Sequence, residues 1–475
     1  MKKRKHILTT ISTGLLATLA GIAVSCTLGP NYSRPPVDVP AGYKSAATQD
    51  ASAPRLITRW WTLFNDPILT QLEEASLQDN PDLKAAVYRV AQARAVAGQV
   101  KSQFYPQITF NPSLTATFKP GVTPTTPTQI PFDLGYEIDI WGQVARSLES
   151  ADANTRSSAD QVAVVQQTLE ADVAQNYMNL RALEAQDDIF TENVKLTQEQ
   201  LDLTKRKLQV GIVGQIDVAQ AQTQLDALLT QQADIRRQRA DSEHALAILT
   251  GKPPTEFSLS AKSADMTPPS IPSDLPADIL RHRPDVAAAE ENLVAANAQV
   301  GVALTNYYPT VRLSGAAGLQ SVNVQHALDW QSAVLSLGPS VSMPIFDGGR
   351  LDASLHQAQA RYDELVATYR STILTAFRDV EVSLTDMHMF GDELEAQHQA
   401  VANAREYLRL SRLEYDQGLV SYLQLLDADR TLLTNQIAES QFTNQRLIST
   451  VLLIKALGSG WNAEPPVSSP ALAHE

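Results

Sequence analysis

Four segments of the chain alternate regularly between apolar and polar residues. They lie at about 107–119, 129–140, 310–321 and 332–346. Alternation with a period of two predicts β-strands that have one apolar face and one polar face. Their lengths agree with the ~9–11 residues that a tilted strand needs to cross a bilayer. The pattern therefore predicts amphipathic strands of a kind that crosses membranes.

The same alternation would arise in half-buried strands of a soluble sheet. That alternative is disfavoured, because four strands separated by long helices would form a poor soluble core. In a membrane, these strands cannot close a barrel alone, since backbone groups at an open edge would stay unpaired in hydrocarbon. The smallest single-chain outer-membrane barrels use about eight strands. The sequence therefore predicts a barrel to which several copies of the chain contribute.

The remaining chain predicts helices, because it is rich in Ala, Leu, Gln and charged residues. Segments 143–209 and 350–417 contain no proline, and each would be ~100 Å long as one helix. Returning helices are predicted at 215–250 and 421–457, where apolar residues at seven-residue spacing favour left-handed packing. Shorter helices are predicted before each strand pair, at 66–103 and 276–306.

The body of the chain consists of one unit that occurs twice. Residues 80–83 (Asn-Pro-Asp-Leu) recur at 283–286 as Arg-Pro-Asp-Val, and residues 211–213 (Gly-Ile-Val) recur at 418–420 as Gly-Leu-Val. Such self-similarity predicts an internal duplication. The expected organisation is a signal peptide at 1–25, a lipidated segment at 26–65, repeat 1 at 66–251, a Pro-rich linker at 252–275, repeat 2 at 276–458 and a tail at 459–475.

The N-terminus predicts export from the cytoplasm. A positively charged start is followed by an apolar stretch that ends at Val24, two residues before the only cysteine, Cys26. The stretch is short for a spanning anchor helix and typical of a secretory signal. Residues 23–26 (Ala-Val-Ser-Cys) are similar to a bacterial lipobox, in which the cysteine is acylated. Thr27 follows it, as in lipoproteins sorted to the outer membrane.

Composition excludes several functions. The 475 residues carry a net charge of −14, which argues against a nucleic-acid partner. A single cysteine excludes disulfide frameworks and multi-cysteine metal sites. The chain has no P-loop, G-x-S-x-G or H-E-x-x-H motif, so we expect no catalytic residue, cofactor or metal. Residues 387–389 (Met-His-Met) suggest soft-metal binding, but consecutive helical residues point apart, which favours packing.

Motifs along nearly the whole mature chain resemble the TolC-type outer membrane efflux family, in its lipoprotein branch (OprM- and NodT-like). The motifs are Cys26–Tyr32 with Arg34-Pro35, Trp60-Trp61 with Phe64 and Asp66-Pro67, Asp139–Gly142, Arg281 with Arg283–Asp285, Ile345–Leu351, and Tyr422-Leu423 with Leu426-Asp427 and Arg430. The resemblance implies a mixed α/β membrane protein: a homotrimer with a twelve-stranded outer-membrane β-barrel, four strands per protomer, and a long α-helical periplasmic tunnel.

The resemblance also implies a function. The chain would be the exit duct of a tripartite efflux system of resistance-nodulation-division type that exports small molecules. Its partners would be a periplasmic adaptor protein, an inner-membrane pump and outer-membrane lipid, with the chain lipid-anchored in the outer membrane and extending into the periplasm. Two alternatives stay open: the outlet of a type I protein-secretion system, and a lipoprotein scaffold without a pore.

Two glycine-containing turns end the long helices. Glycine permits the left-handed conformation that closes a helix, so capping alone would explain these turns. In the family such apolar tips meet the adaptor, and the resemblance implies the same role here for Val210, Gly211, Ile212, Val213, Gln417, Gly418, Leu419 and Val420.

Charged residues beside these turns suggest a periplasmic gate. One turn follows the basic residues Lys205, Arg206 and Lys207. The other follows Glu414, Tyr415 and Asp416, two of which are acidic, with Arg409 and Arg412 nearby. The proposed gate residues are Lys205, Arg206, Lys207, Arg409, Arg412, Glu414, Tyr415 and Asp416. We hypothesise that the two groups face each other within the trimer and hold the end shut. Exposed ion pairs contribute only ~0–1 kcal/mol each, so a lock needs several, and solvated helix ends would explain the charges equally well.

Overall fold

A computed structural model describes most of the chain. The described residues are 27–40, 42–44, 58–118, 120–121, 124–260, 266–269, 271, 282–459 and 461. The predicted signal peptide at 1–25, the predicted acylation site Cys26 and Arg281 lie outside these residues, as does the start of the helix predicted from 276.

Helices account for most of the described chain. They are α1 (Pro67–Asp79), α2 (Pro81–Ser102), α3 (Gln143–Gln209), α4 (Gln215–Leu249), α5 (Pro284–Thr305), α6 (Arg350–Asp416) and α7 (Tyr422–Ala456). Helices α3 and α6 each have 67 residues, and α4 and α7 each have 35. The predicted long helices at 143–209 and 350–417 thus agree with the structure to within one residue.

The single helix predicted at 66–103 is wrong, because the structure has two helices there. Asn80 lies between α1 and α2 with an extended ψ of 125°. The residue before a proline avoids the helical region, and Pro81 begins α2. The Asn80 Oδ1 accepts hydrogen bonds from the backbone N–H of Asp82 and Leu83, at 2.9 and 3.0 Å. Asn80 therefore ends one helix and caps the next.

Five strands form one antiparallel sheet: β1 (Gln107–Phe110), β2 (Ser113–Leu114), β3 (Thr128–Ile138), β4 (Thr310–Ser321) and β5 (Ala333–Ser342). Both β1 and β2 pair with β3, which pairs with β4, and β4 pairs with β5. The continuous strand predicted at 107–119 is wrong, because the chain leaves the ladder at Asn111-Pro112, where proline has no N–H to donate. The strand predicted to reach 346 ends at Ser342, shortly before Pro344.

The sheet keeps the predicted alternation in its register. Ile108 lies opposite Leu134, Leu134 opposite Gly315, and Gly315 opposite Leu337, so one face is apolar across the whole sheet. The other face carries polar residues, with Glu137 directly opposite Arg312. The pleat thus places the two kinds of residue on opposite faces.

The chain divides into two compact units of three segments each. The first comprises the described residues within 1–37, 88–160 and 288–371 and contains the sheet. The second comprises those within 38–87, 161–287 and 372–475. The core of the second unit is built from Trp60, Trp61, Leu69, Leu72, Tyr177, Leu246 and Val451, among others. Among the described residues, no helix combines the length and apolarity that a membrane crossing requires.

Two glycines at helix ends provide a matched test of this packing. Gly251 and Gly211 both have left-handed backbones, with φ of 71° and 75°. A Cβ at Gly251 would lie 2.6 Å from the Asp79 carbonyl oxygen, whereas one at Gly211 would meet nothing within 4 Å. Both alanine substitutions should lose about 1–2 kcal/mol to backbone strain, and Gly251→Ala about 1–3 kcal/mol more to overpacking. Urea unfolding of both variants measures this; equal losses would contradict the close contact.

Candidate functional site

The apolar face of the sheet is uncovered in the described chain. Leu335 and Leu337 of β5 are 84% and 69% exposed, and Ile108, Phe132 and Val341 are also largely exposed. Monomeric soluble proteins rarely expose a contiguous apolar surface of this kind, and such surfaces mark membrane or protein contacts. Together with the free edges at β1–β2 and β5, this face identifies the sheet as an incomplete, lipid-directed structure.

The opposite face is suited to water. Asn111 donates to Asp133 at 3.4 Å, and Arg312 lies over Gly135, where a Cβ would come within 3.1 Å of the guanidinium Nη2. Glycine therefore leaves room for the arginine to lie along the sheet. A polar face of this composition fits the interior of a water-filled barrel.

An N-terminal strap, residues 27–34, is tied to the same unit as the sheet. Its main contact is Arg146 at the start of α3, whose side chain is buried. The Arg146 guanidinium donates to the Leu28 and Gly29 carbonyl oxygens, at 3.0 and 3.2 Å, and to Asn31 Oδ1 at 2.9 Å. It also pairs with Glu149 at 2.7 Å. This one side chain therefore supplies three of the hydrogen bonds that hold the strap.

Further contacts complete the attachment of the strap. Arg34 forms a bidentate pair with Glu290 of α5, with both N–O distances 2.7 Å. The Tyr32 hydroxyl also donates to Glu290 at 3.3 Å. Burial, and then the Glu290 charge, raise the pKa of Tyr32, so this phenol stays protonated as a donor. Planar bidentate pairs fix geometry as well as charge, and the strap therefore has a defined path.

The predicted docking residues form exposed apolar turns. Gly211 and Gly418 adopt the left-handed conformation, with φ of 75° and 76°. The backbone N–H of Ile212 donates to the Lys207 carbonyl, and that of Leu419 donates to the Glu414 carbonyl, both at 2.9 Å. Ile212 and Leu419 are each 70% exposed. The turns thus close the helices and also leave an unpartnered apolar side chain at each tip. Val210, Gln417 and the two glycines are exposed, and Val213 and Val420 are half-buried.

The predicted gate residues are only partly brought together in one chain. Lys207 Nζ lies 4.5 Å from the centre of the Tyr415 ring, and Tyr415 packs on Tyr422. Arg409 pairs with Glu406 on its own helix. The other predicted gate residues, Lys205, Arg206, Arg412, Glu414 and Asp416, are exposed. Across the part of the chain that the structure describes, no ion pair joins the basic tip group to the acidic one.

The sequence interpretation missed several buried polar groups. The largest is an ionic network of Arg181, Glu184, Arg239 and Glu243, with Arg181 and Glu184 almost fully buried. Arg146 and the pair Glu73 and Glu170 were also missed. Glu73 lies four residues after Leu69 and three before Ser76, both of which are buried, and this spacing places it on the buried face of α1. That spacing is the sequence signal from which the burial of Glu73 could have been predicted. Met387 and His388, for which the sequence favoured packing over soft-metal binding, border a cleft with Pro268 and Arg446.

Comparison with known proteins agrees with this architecture. The sequence profile of the family described as outer membrane efflux protein matches residues 72–252 and 275–459. The chain therefore belongs to the outer membrane efflux protein family. The two matched segments have similar lengths, as expected for an internal duplication.

Individual relatives cover almost the whole chain. A probable efflux pump outer membrane protein of Pseudomonas putida, SepC, is 33% identical over 95% of this chain and 98% of its own length. SilC of Salmonella typhimurium, a probable outer membrane lipoprotein, is 28% identical over 94% and 98%. The structure of the outer-membrane channel OprN is similar with a TM-score of 0.83 at 30% identity, covering 92% of this chain and all of OprN.

These findings confirm the resemblance to TolC-type efflux proteins. The fold is that of TolC-like outer membrane channels, with mixed helix and sheet. The chain is an efflux protein of the outer membrane and serves as an exit duct. Its family is one of channels.

The buried clamp on the strap generates a testable prediction. Arg146→Met would leave two carbonyl oxygens and Asn31 without their donor, so the free energy of unfolding should fall by about 2–4 kcal/mol. Denaturant unfolding measures the loss, and limited proteolysis should show earlier cleavage near the N-terminus. Arg156→Met is the control, because Arg156 pairs with Glu291 at the surface and should change stability by less than about 1 kcal/mol. Equal effects of both variants would contradict the clamp.

Proposed function

We propose that three copies of the chain assemble into the outer-membrane duct of a tripartite efflux system of resistance-nodulation-division type. Each protomer contributes its four-stranded arrangement, counting β1 and β2 as one interrupted strand, to a twelve-stranded barrel. The observation that carries the proposal is the open sheet, whose two edges have no pairing strand among the described residues and whose apolar face is exposed. Backbone groups cannot stay unpaired in hydrocarbon, so neighbouring copies must complete the ladder.

The duct supplies a continuous aqueous path and performs no covalent chemistry. Energy enters through an inner-membrane pump, joined to the duct by a periplasmic adaptor protein. Related proteins are named as parts of toluene and antibiotic efflux pumps, which supports small molecules as cargo. Acylation of Cys26 would anchor each protomer, and more than one acyl chain would bind the membrane more stably than the marginal hold of a single chain.

Reconstitution tests the assembly directly. Purified full-length protein in detergent should have the mass of a trimer and should conduct ions in a planar bilayer. A monomer without conductance would refute the duct and favour a lipoprotein scaffold. Cross-linking in cells should capture an adaptor with an inner-membrane transporter; capture of a peptidase-containing exporter would instead indicate a protein-secretion outlet.

The apolar tips are the proposed docking sites for the adaptor. Ile212→Asp and Leu419→Asp should each weaken adaptor binding about 10–100-fold, because burying such a side chain contributes about 1.5–3 kcal/mol. Site-specific cross-linking and drug-resistance assays in cells lacking the native duct measure the loss. Ile248→Asp is the matched control, because Ile248 is 61% exposed at the other end of the α3–α4 hairpin. Unchanged cross-linking in both tip variants would exclude docking there.

The charged tip groups are proposed to hold the periplasmic end closed across protomers. Asp416 is exposed, and among the described residues no ion pair includes it, so it is available to a neighbour. Asp416→Lys should raise single-channel conductance and the entry of vancomycin, because reversing the charge replaces attraction by repulsion. Glu393→Lys makes the same change on an exposed mid-helix position of α6 and should leave both unchanged. Equal leakage in Asp416→Lys and the unaltered protein would refute the gate.

A further inference from the structure

Glu73 of α1 is a carboxyl group buried in an apolar core. Its exposed fraction is 0%, and neither carboxyl oxygen has a hydrogen-bond partner among the described residues. Leu69 and Leu72 of the same helix belong to the surrounding core, together with Trp60 and Trp61. An ionised carboxylate in such a place would be strongly destabilising, and a buried group of this kind takes up a proton instead.

A second buried carboxyl group, Glu170 of α3, acts on the first. Glu170 is 2% exposed. Trp60 Nε1 donates to its Oε2 at 3.0 Å, and Gln166 Nε2 donates to its Oε1 at 2.8 Å. Burial raises the pKa of Glu170 to about 7, although both donors favour its charged form. Burial, and then the charge of Glu170, raise the pKa of Glu73 well above its usual range.

Among the described residues around Glu73, no positively charged side chain neutralises its carboxyl group. On its own helix, Glu74 points to the surface and pairs with Arg59. Asp66, which caps α1, accepts a hydrogen bond from Tyr177 at 2.7 Å. On α3, Asp172 is half-buried, and the charge of Lys455 on α7 acts on it. Helices α4 and α7 contribute aliphatic residues to the same core: Leu246, Leu447, Val451 and Ile454.

We propose that Glu73 and Glu170 form a buried proton-binding site, which keeps at least one proton at neutral pH and couples the stability of this helical unit to acidity. The donors on Glu170 mark it as the member that ionises first, and the partnerless Glu73 as the member that keeps the proton. The two groups titrate as a coupled pair. This inference goes beyond the duct function and does not depend on it.

The sign of the coupling follows from linkage. Both carboxyl groups bind protons more tightly in the folded chain than in the unfolded one, where Glu titrates near about 4.3. Their protonation therefore contributes its full stabilisation of the folded chain below about pH 4.3. That contribution is lost as the pH rises through the pKa in the folded chain, which is about 7 for Glu170. Over that range the folding equilibrium should shift roughly a hundredfold toward the unfolded state through Glu170 alone.

Surface carboxylates of this protein act in the opposite direction. Arg237 lowers the pKa of Asp234, and Arg409 lowers the pKa of Glu406. Such pairs lose stabilisation as pH falls, because their carboxylates become protonated. The buried site gains stabilisation in the same range. The proton site thus makes the unit better suited to acidic surroundings than its surface ion pairs alone would allow.

Thermal unfolding of the full-length protein in detergent tests the proposal. Between about pH 5 and about pH 8 the unaltered protein should lose thermal stability. Glu73→Gln keeps the shape of the side chain but cannot ionise. It should therefore raise the melting temperature at the higher pH and remove much of the difference in melting temperature between the two pH values. Glu74→Gln is the control at an exposed neighbour and should leave the difference unchanged. Other carboxyl groups with raised pKa values contribute equally to all three proteins; one is the half-buried Asp160, whose pKa is raised to about 6 by partial burial.

A difference in melting temperature that is unchanged in Glu73→Gln would overturn the proposal. Infrared spectroscopy keeps the test decisive if that variant fails to fold. At about pH 7, where ordinary carboxyl groups are ionised, the unaltered protein should show the carbonyl band of a protonated carboxyl group. Glu170→Gln should retain that band, because Glu73 keeps the proton. Absence of the band from the unaltered protein would refute the site.

Discussion

The structure depends on one constraint, the pairing of backbone groups at the edges of a sheet whose outer face is apolar. An apolar face favours lipid, yet lipid offers no hydrogen-bond partner to the open edges at β1–β2 and β5. A soluble sheet would resolve this conflict by covering its apolar face, which the described chain does not do. Association of several copies resolves it by pairing the edges. Oligomerisation is therefore a condition for inserting this sheet into a membrane.

The duplication explains why the helical hairpins match each other. Helices α3 and α6 have equal lengths, and so do α4 and α7, so both hairpins end in turns built the same way. The two copies differ in their side chains instead. At the offset that relates Gly211 to Gly418, residues 205–207 are Lys-Arg-Lys in one copy, and the equivalent residues 412–414 are Arg-Leu-Glu in the other. The duplication thus produced two helical hairpins of equal length. Substitutions beside their turns gave the two hairpins different charges without altering the backbone of the turns.

Features carried by local sequence could be predicted, and features carried by distant contacts could not. Long proline-free segments gave the bounds of α3 and α6, and strict alternation gave the faces of the sheet. Two errors came from giving too little weight to proline, at Pro81 and Pro112. The tip residues were found by their glycines, but their partners in other chains remain predictions. Arg146 and Glu170 meet residues more than a hundred positions away, and no periodicity in the sequence encodes such contacts.

The two units have different physical tasks. The first contains the sheet and also the strap that follows the predicted acylation site, which Arg146 holds to α3, so both features directed at the membrane belong to one unit. The second contains the docking turns and the buried carboxyl pair. Exposed carboxyl groups of the second unit, such as Glu406 beside Arg409, lose their ion-pair stabilisation as pH falls. A protonated pair in its core therefore stabilises the part of the protein that acidity would otherwise weaken.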